Sequence, residues 1–202
     1  MAQSITSTAG LTWPAEDFSR VPYGVFTSQQ VCELMGYDAN GGEDMTTYVS
    51  KTEELTAFLN EYIHCIDDDR LEEWPEFFED VCIYKIIPRE NTELNLPIAL
   101  VYCDNKGMLI DRVVSLRKAN VYNLHYDRHI VSNLLVSDGD GNSWNLKANY
   151  IVYQTDLEGE STLFSTGRYD AVVVNDGAKH RFKEMIVTVD TYAVPNLIST
   201  PL

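Results

Sequence analysis

The chain has 202 residues, 31 of them acidic and 15 basic, and its formal net charge at pH 7 is −16. This acidity repels phosphate backbones and anionic lipid, so it argues against nucleic-acid and membrane binding and favours solubility or a basic partner. The sequence shows neither the roughly 18 consecutive apolar residues of a membrane span nor a secretory signal. Its four cysteines lie far apart, and we therefore expect a cytoplasmic protein with reduced thiols.

Residues 1–48 differ in composition from the rest and are expected to form an N-terminal extension to one domain over 49–202. The extension is rich in proline and glycine, and a brief helix is predicted over 27–35. It also carries four aromatic residues that favour burial, namely Trp13, Phe18, Tyr23 and Phe26. Such a segment is expected to wrap over its own domain or over a partner chain.

Two helices are predicted at the start of the domain. Ser50 and Glu53 match a capping box for the first helix. Its apolar residues follow at helical spacing and are Leu55, Phe58, Leu59, Tyr62, Ile63 and Ile66. The aspartates at 67–69 end this helix. Because Pro75 is compatible only with a first turn, the second helix is expected to start near 70–74 and to run to about residue 78.

The remainder is predicted to form strands and one further helix. A strand at 81–87 stops at Pro88, a shorter one covers 98–103, and a helix covers 106–118. Four long strands joined by short turns then make an antiparallel meander, over 127–137, 143–155, 161–174 and 180–192. This order predicts an α+β domain whose helices pack on one face of a curved antiparallel sheet.

Few residues point to metal or nucleophilic chemistry. No cysteine has a histidine two or three positions away, as a Rieske centre requires, and neither a phosphate-binding glycine loop nor a GxSxG motif occurs. His125, Asp127 and His129 share a face and could hold iron, but their place at a strand entry favours structural hydrogen bonds. Cys82 and Cys103 lie among apolar residues, which favours inert core thiols.

Acid–base chemistry is the remaining catalytic possibility, because an α+β cone can enclose a pocket in which a carboxyl, histidine or tyrosine moves protons. The candidates are Asp68, Asp69, Tyr84 and His129. A run of aspartates at a helix end more often caps or turns the chain.

A basic segment stands out in this acidic chain and contains Arg112, Arg117, Lys118 and Arg128. Internal salt bridges and the binding of a partner's carboxylates are its two interpretations.

Six segments of the domain have a familiar order and spacing: EWPEFF (73–78), CIYK (82–85), PREN (88–91), MLIDR (108–112), LRKAN (116–120) and YDRHIVS (126–132). They resemble the small (β) subunits of Rieske-type aromatic ring-hydroxylating dioxygenases, most of all those of terephthalate dioxygenase and related aromatic-acid oxygenases. The resemblance covers about 52–202, so the role of residues 1–48 is not inherited.

The resemblance implies a nuclear-transport-factor-like (scytalone dehydratase-like) cone within an α3β3 hexamer. The large α subunits would carry the Rieske [2Fe-2S] cluster and the mononuclear Fe(II), and a separate reductase would deliver electrons from NADH, with its contacts on the α subunit. This chain would have no cofactor and no catalytic centre. On this interpretation, the residues expected at subunit contacts, or bracing the loops that make them, are Trp74, Arg112, Arg117, Arg128 and His129.

A free-standing acid–base enzyme of the same superfamily, such as a dehydratase or isomerase, is the alternative function. A small-molecule-binding or scaffold protein is a third. The subunit interpretation predicts co-purification with a larger brown iron protein, whereas the enzyme interpretation predicts a colourless chain that is active alone.

Overall fold

In the computed structural model, residues 45–119, 124–177, 179–190 and 198–202 are described, with side chains from residue 51 onward. The helices are α1 (Met45–Asp67), a 3-10 turn (Trp74–Phe77), α2 (Arg89–Glu93) and α3 (Lys106–Ala119). The strands are β1 (Phe78–Pro88), β2 (Val101–Cys103), β3 (His125–Asp138), β4 (Ser143–Asp156), β5 (Ser161–Asn175) and β6 (His180–Val189). The chain divides between Val49 and Ser50, and the fold described here is that of the second unit.

The six strands form one sheet in the order β2-β1-β6-β5-β4-β3. The meander from β3 to β6 is antiparallel, as predicted. However, β1 pairs with β6 in parallel, with Tyr84 opposite Met185. The sheet is therefore mixed and not purely antiparallel. A turn fixes the relative direction of strands that follow one another, but β1 and β6 are separated by most of the domain.

The helices cover one face of this sheet. Along β4, the residues from Leu146 to Val152 alternate between buried and exposed, as the sequence pattern predicted. The buried side meets the apolar stripe of α1, where the rings of Phe58 and Tyr62 lie 4.8 and 5.1 Å from that of Phe182. Leu109 and Val113 of α3 join the same core. The expected α+β arrangement is confirmed.

Several predicted boundaries were wrong, including the end of the last strand, which is at Val189 and not near residue 192. Helix α1 begins at Met45, so Ser50 and Glu53 lie within it and form no capping box at its start. The second helix is only the 3-10 turn Trp74–Phe77, because Pro75 lacks the N–H that a longer helix needs and β1 begins directly at Phe78. The strand predicted over 98–103 is limited to Val101–Cys103. The helix at 27–35 and residues 1–44 of the expected extension lie outside the described residues, whereas residues 45–48 belong to α1.

Candidate functional site

A buried carboxylate–histidine pair joins the end of α1 to the edge strand β3. Oδ1 of Asp67 lies 2.6 Å from Nδ1 of His129, and both Asp67 oxygens accept the His129 backbone N–H at 3.2 and 3.1 Å. Their side chains are 3% and 0% exposed. Because a buried polar group without a partner is costly, this contact fixes the helix end against the strand. It is the structural hydrogen bond that the sequence predicted for His129.

A second histidine–carboxylate pair lies on the same strand. Nε2 of His125 lies 3.4 Å from Oδ2 of Asp127, and Gln154 donates to Oδ1 of the same carboxylate at 3.3 Å. Burial acts to raise the pKa of Asp127, but the contacts with His125 and Gln154 outweigh it and lower the pKa overall, so the carboxylate stays ionised. Within the described residues there is no group of three or more His, Cys, Asp or Glu residues that could hold a metal ion.

Asp67 was not among the acid–base residues predicted from the sequence, whereas its exposed neighbours Asp68 and Asp69 were. A signal was present, because Asp67 follows the buried Ile63 by four residues and so continues the apolar stripe of α1. Tyr84, the other acid–base candidate, is fully buried and exchanges hydrogen bonds with the backbone of Leu202.

Arg117 forms an internal clamp. Its guanidinium bonds to both carboxylate oxygens and the backbone oxygen of Asp69, at 2.8 to 2.9 Å, and to both carboxylate oxygens of Glu72, at 2.8 and 3.0 Å. The hydrogen bond from Arg117 lowers the pKa of Glu72 to about 2. This geometry ties α3 to the segment after α1, which favours bracing over a direct contact with another subunit.

The structure places Trp74, Arg128 and Arg112 in three different environments. Trp74 is 0% exposed and packs against Phe78 and Tyr84, so it can influence a subunit contact only through the core. Arg128 is exposed on the outer face of β3, with Nη1 3.6 Å from Oδ2 of Asp67. Arg112 lies in the wall of a groove between α3, β2 and the segment 198–202. The five predicted interface residues therefore do not form one site.

On the face of the sheet opposite the helices, an apolar patch spans β3, β4 and β5. We call it the sheet patch. Ile130 faces Ile151 across the strands, and Tyr153 faces both Arg128 and Leu163. The apolar members are all exposed in this chain and are Tyr126, Ile130, Ile151, Tyr153 and Leu163. Contiguous exposed apolar surface is typical of sites that bind another molecule.

The described cysteines are buried free thiols, namely Cys65, Cys82 and Cys103. Burial raises the pKa of Cys65 and of Cys82 to about 11, and it raises the pKa of Cys103 as well. They are therefore neutral thiols near pH 7, which agrees with the predicted core role. No helix among the described residues is both long and apolar enough to cross a membrane.

Comparison with known proteins identifies the protein family to which this chain belongs. The profile of the family described as "Ring hydroxylating beta subunit" matches residues 63–196. The chain therefore belongs to the β subunits of ring-hydroxylating oxygenases. Its fold is nuclear-transport-factor-like, since a structure described as a scytalone dehydratase from Novosphingobium aromaticivorans covers 74% of this chain and 93% of its own length, with a TM-score of 0.58 at 14% identity.

Three individual proteins show which members of the family this chain is similar to. The chain is 44% identical to the anthranilate 1,2-dioxygenase small subunit of Burkholderia cepacia, over 79% of this chain and 97% of that protein. It is 32% identical to β subunit 1 of the terephthalate 1,2-dioxygenase terminal oxygenase from Comamonas sp., over 74% and 97%. A crystal structure described as the β subunit of an aromatic-ring-hydroxylating dioxygenase from Novosphingobium aromaticivorans has a TM-score of 0.71 at 37% identity, covering 77% and 99%.

Proposed function

We propose that this chain is a structural, non-catalytic β subunit that holds together an aromatic ring-hydroxylating oxygenase of α3β3 composition. The sheet patch is the observation that carries this proposal. A free-standing chain rarely exposes so many neighbouring apolar side chains, and another protein surface is the partner that would bury them. The internal use of Arg117 and His129, which brace one element against another, fits a rigid supporting role.

The redox chemistry belongs, on this proposal, to the large subunit. That subunit would hold the Rieske cluster and the mononuclear iron, and a separate reductase would contact it and supply electrons from NADH. The names of the relatives direct the choice of substrate, because anthranilate and terephthalate are both aromatic carboxylates. We propose an aromatic acid as the substrate of the assembled oxygenase, and the cytoplasm as its location.

The Asp67–His129 pair is the one observation that favours the alternative, a free-standing acid–base enzyme. Two features weigh against it. Both side chains are closed off from solvent, and neither lines the groove beside α3 or the cavity at the hairpin tips near Asp140. A catalytic base has to reach the proton that it removes, so this pair would need a large opening of the core before it could act.

The decisive experiment purifies the tagged chain from its native cells and measures the native mass and the iron content. We expect a brown complex with equal numbers of large and small subunits, whereas the chain expressed alone should be colourless and inactive. A colourless chain that converts an enolisable or hydroxylated substrate without a partner would contradict the subunit role.

A variant of the sheet patch tests the observation itself. Ile151→Lys places a charge at the proposed contact while its side chain stays in solvent in the free chain, so assembly should weaken at least about tenfold without loss of folding. Val81→Lys is the control, because Val81 is also an exposed apolar residue but lies on β1, away from the patch. Unchanged assembly of Ile151→Lys would remove the sheet patch from the proposal.

A further inference from the structure

Arg112 differs from the other arginines of the described chain. Six of the seven form an ion pair with a carboxylate, namely Arg70, Arg89, Arg117, Arg128, Arg168 and Arg181. Arg112 forms no ion pair with a carboxylate among the described residues, although the sequence as a whole has 31 acidic residues. Its Nη2 donates to the backbone oxygen of Ile198 at 3.2 Å, and its Nε is buried without a hydrogen-bond partner. The guanidinium therefore retains donor capacity for a carboxylate.

The surroundings of Arg112 form a groove of about 590 Å³. Its walls are mostly apolar and include Leu100, Tyr102, Met108 and Leu116. Asp111 also lies in the lining, so a carboxylate bound here must sit on the Arg112 side of the groove. A mainly apolar groove with one unpaired guanidinium fits a ligand that combines apolar groups with a negative charge.

The exposed apolar residues that line the groove, or are close in sequence to those that do, indicate that this ligand is a protein segment and not a small molecule. Of the seventeen large hydrophobic side chains that are exposed in the described chain, eight fall between residues 94 and 114. They are Leu94, Leu96, Ile98, Leu100, Tyr102, Met108, Ile110 and Val114. A small acid in the groove would leave most of them in water. In addition, β2 is an edge strand of the sheet, and an extended segment can pair with such an edge.

We propose that this groove binds an apolar segment of the large subunit that carries an Asp or Glu, and that the carboxylate of this residue pairs with Arg112. The inference rests on the proposed subunit role and adds the location and chemistry of the contact. Charge favours the large subunit over a second copy of this chain, because each copy has a formal net charge of −16 and two copies repel each other. Apolar burial would supply most of the affinity, and the ion pair would fix the register.

Photocrosslinking in the assembled complex tests the location. Ser115 lines the groove and is exposed, so it can be replaced by p-benzoylphenylalanine without disturbing the core. We expect light to join this position to the large subunit, and peptide mapping should place the crosslink within a few residues of an Asp or Glu flanked by apolar residues. The same crosslinker at Glu158, in the exposed β4–β5 turn, is the control and should not give this product.

Substitution of Arg112 tests the chemistry. Arg112→Met keeps the length and apolar stem of the side chain but removes the charge, and we expect the large subunit to bind about tenfold to a hundredfold more weakly. Arg112→Lys should recover part of the affinity. Arg117→Met is the control of equal charge change, because Arg117 is satisfied inside the chain, and it should leave the affinity within about twofold of wild type. Circular dichroism of each free chain shows that the variants fold.

The outcomes separate the two proposals. Failure of the chain to associate with any large iron-containing subunit would overturn the subunit role and this inference with it. If the complex forms but Ser115 crosslinks only to a second copy of this chain, or to a segment without an acidic residue, the groove assignment alone is overturned. Equal affinity of wild type and folded Arg112→Met would do the same.

Discussion

Asp67 accepts hydrogen bonds from both the ring and the backbone of His129 in a part of the domain that solvent does not reach. Asp67→Ala leaves these donors buried without an acceptor, so we expect the free energy of unfolding to fall by about 3 kcal/mol. Urea unfolding of the isolated chain measures this loss. Asp68→Ala removes a neighbouring exposed carboxylate and should change the stability by less than about 0.5 kcal/mol. Similar losses of unfolding free energy for both variants would show that the buried pair stabilises the fold no more than an exposed carboxylate does.

The Arg117 clamp should contribute stability that depends on pH. The pKa of Glu72 is about 2 in the folded chain, against an ordinary value of 4.5. A lowered folded pKa means that the contribution is complete above about pH 4.5 and is lost as the pH falls towards 2. Because both carboxylates of the clamp are mostly exposed, we expect Arg117→Met to cost only about 1 kcal/mol at pH 7.

Urea unfolding at pH 7 and at pH 3 checks this prediction. The difference between wild type and Arg117→Met should be smaller at pH 3, where Glu72 begins to take up a proton. Lys118→Met, which removes the adjacent positive charge, serves as control and should show no comparable change of its effect with pH. A difference that grows on acidification would contradict the assignment of the clamp.

The residue types at His129, Arg112 and Arg117 were informative in the sequence, but their partners in space were not. The histidines on β3 were predicted to make structural hydrogen bonds because they lie where a loop enters a strand. The partner of His129 could not be identified, because Asp67 lies 62 positions earlier and only the folded chain brings them together. Likewise, Arg112 and Arg117 belong to one basic segment in the sequence, and only their neighbours in space distinguish a satisfied guanidinium from an unpaired one.

Among the elements, the contact between β5 and β6 depends on one glycine. A Cβ atom on Gly167 would lie 2.0 Å from the backbone oxygen of Thr188 and 3.0 Å from a ring carbon of Tyr150. Gly167→Ala therefore has to push the strands apart, and we expect a loss of about 2–4 kcal/mol in unfolding free energy. Gly159→Ala is the control, because its Cβ meets nothing within 4 Å and only the positive φ is strained, at about 1 kcal/mol. Thermal unfolding of both variants checks the order.

Elements defined by local periodicity were predicted well. The alternation along β4 and the helical stripe of α1 are local signals that burial on one face imposes, and both elements are present. Contacts between distant elements had no such signal. The parallel pairing of β1 with β6 was not predicted, because no turn connects them. The capping box at Ser50 failed for a related reason, since a local motif does not show whether the helix already began upstream.

At the scale of the whole molecule, the two apolar surfaces lie at opposite ends of the sheet. The groove adjoins edge strand β2, and the sheet patch adjoins edge strand β3. Five strand spacings separate these edges, about 24 Å at the usual interstrand distance. A chain with a net charge of −16 disfavours unspecific self-association, so these two surfaces direct where contacts form. In the proposed α3β3 assembly, this arrangement would let one small subunit contact a large subunit and another small subunit at the same time.

The separation of the two surfaces leads to a prediction about the assembled complex. Ile151 on β4 lies four strand spacings, about 19 Å along the sheet, from the edge strand β2 beside the Arg112 groove. Substitutions at such a separation that share no partner should add, within about 0.5 kcal/mol, in the free energy of assembly. If Arg112→Met and Ile151→Lys each weaken assembly about tenfold, the double variant should weaken it about a hundredfold. Native mass spectrometry over a dilution series measures all four proteins, with Arg112→Met combined with Val81→Lys as the control pair. A double variant no weaker than the worse single variant would mean that both surfaces meet in one contact, as they would in a ring of small chains alone, and the groove would then belong to that ring and not to the large subunit.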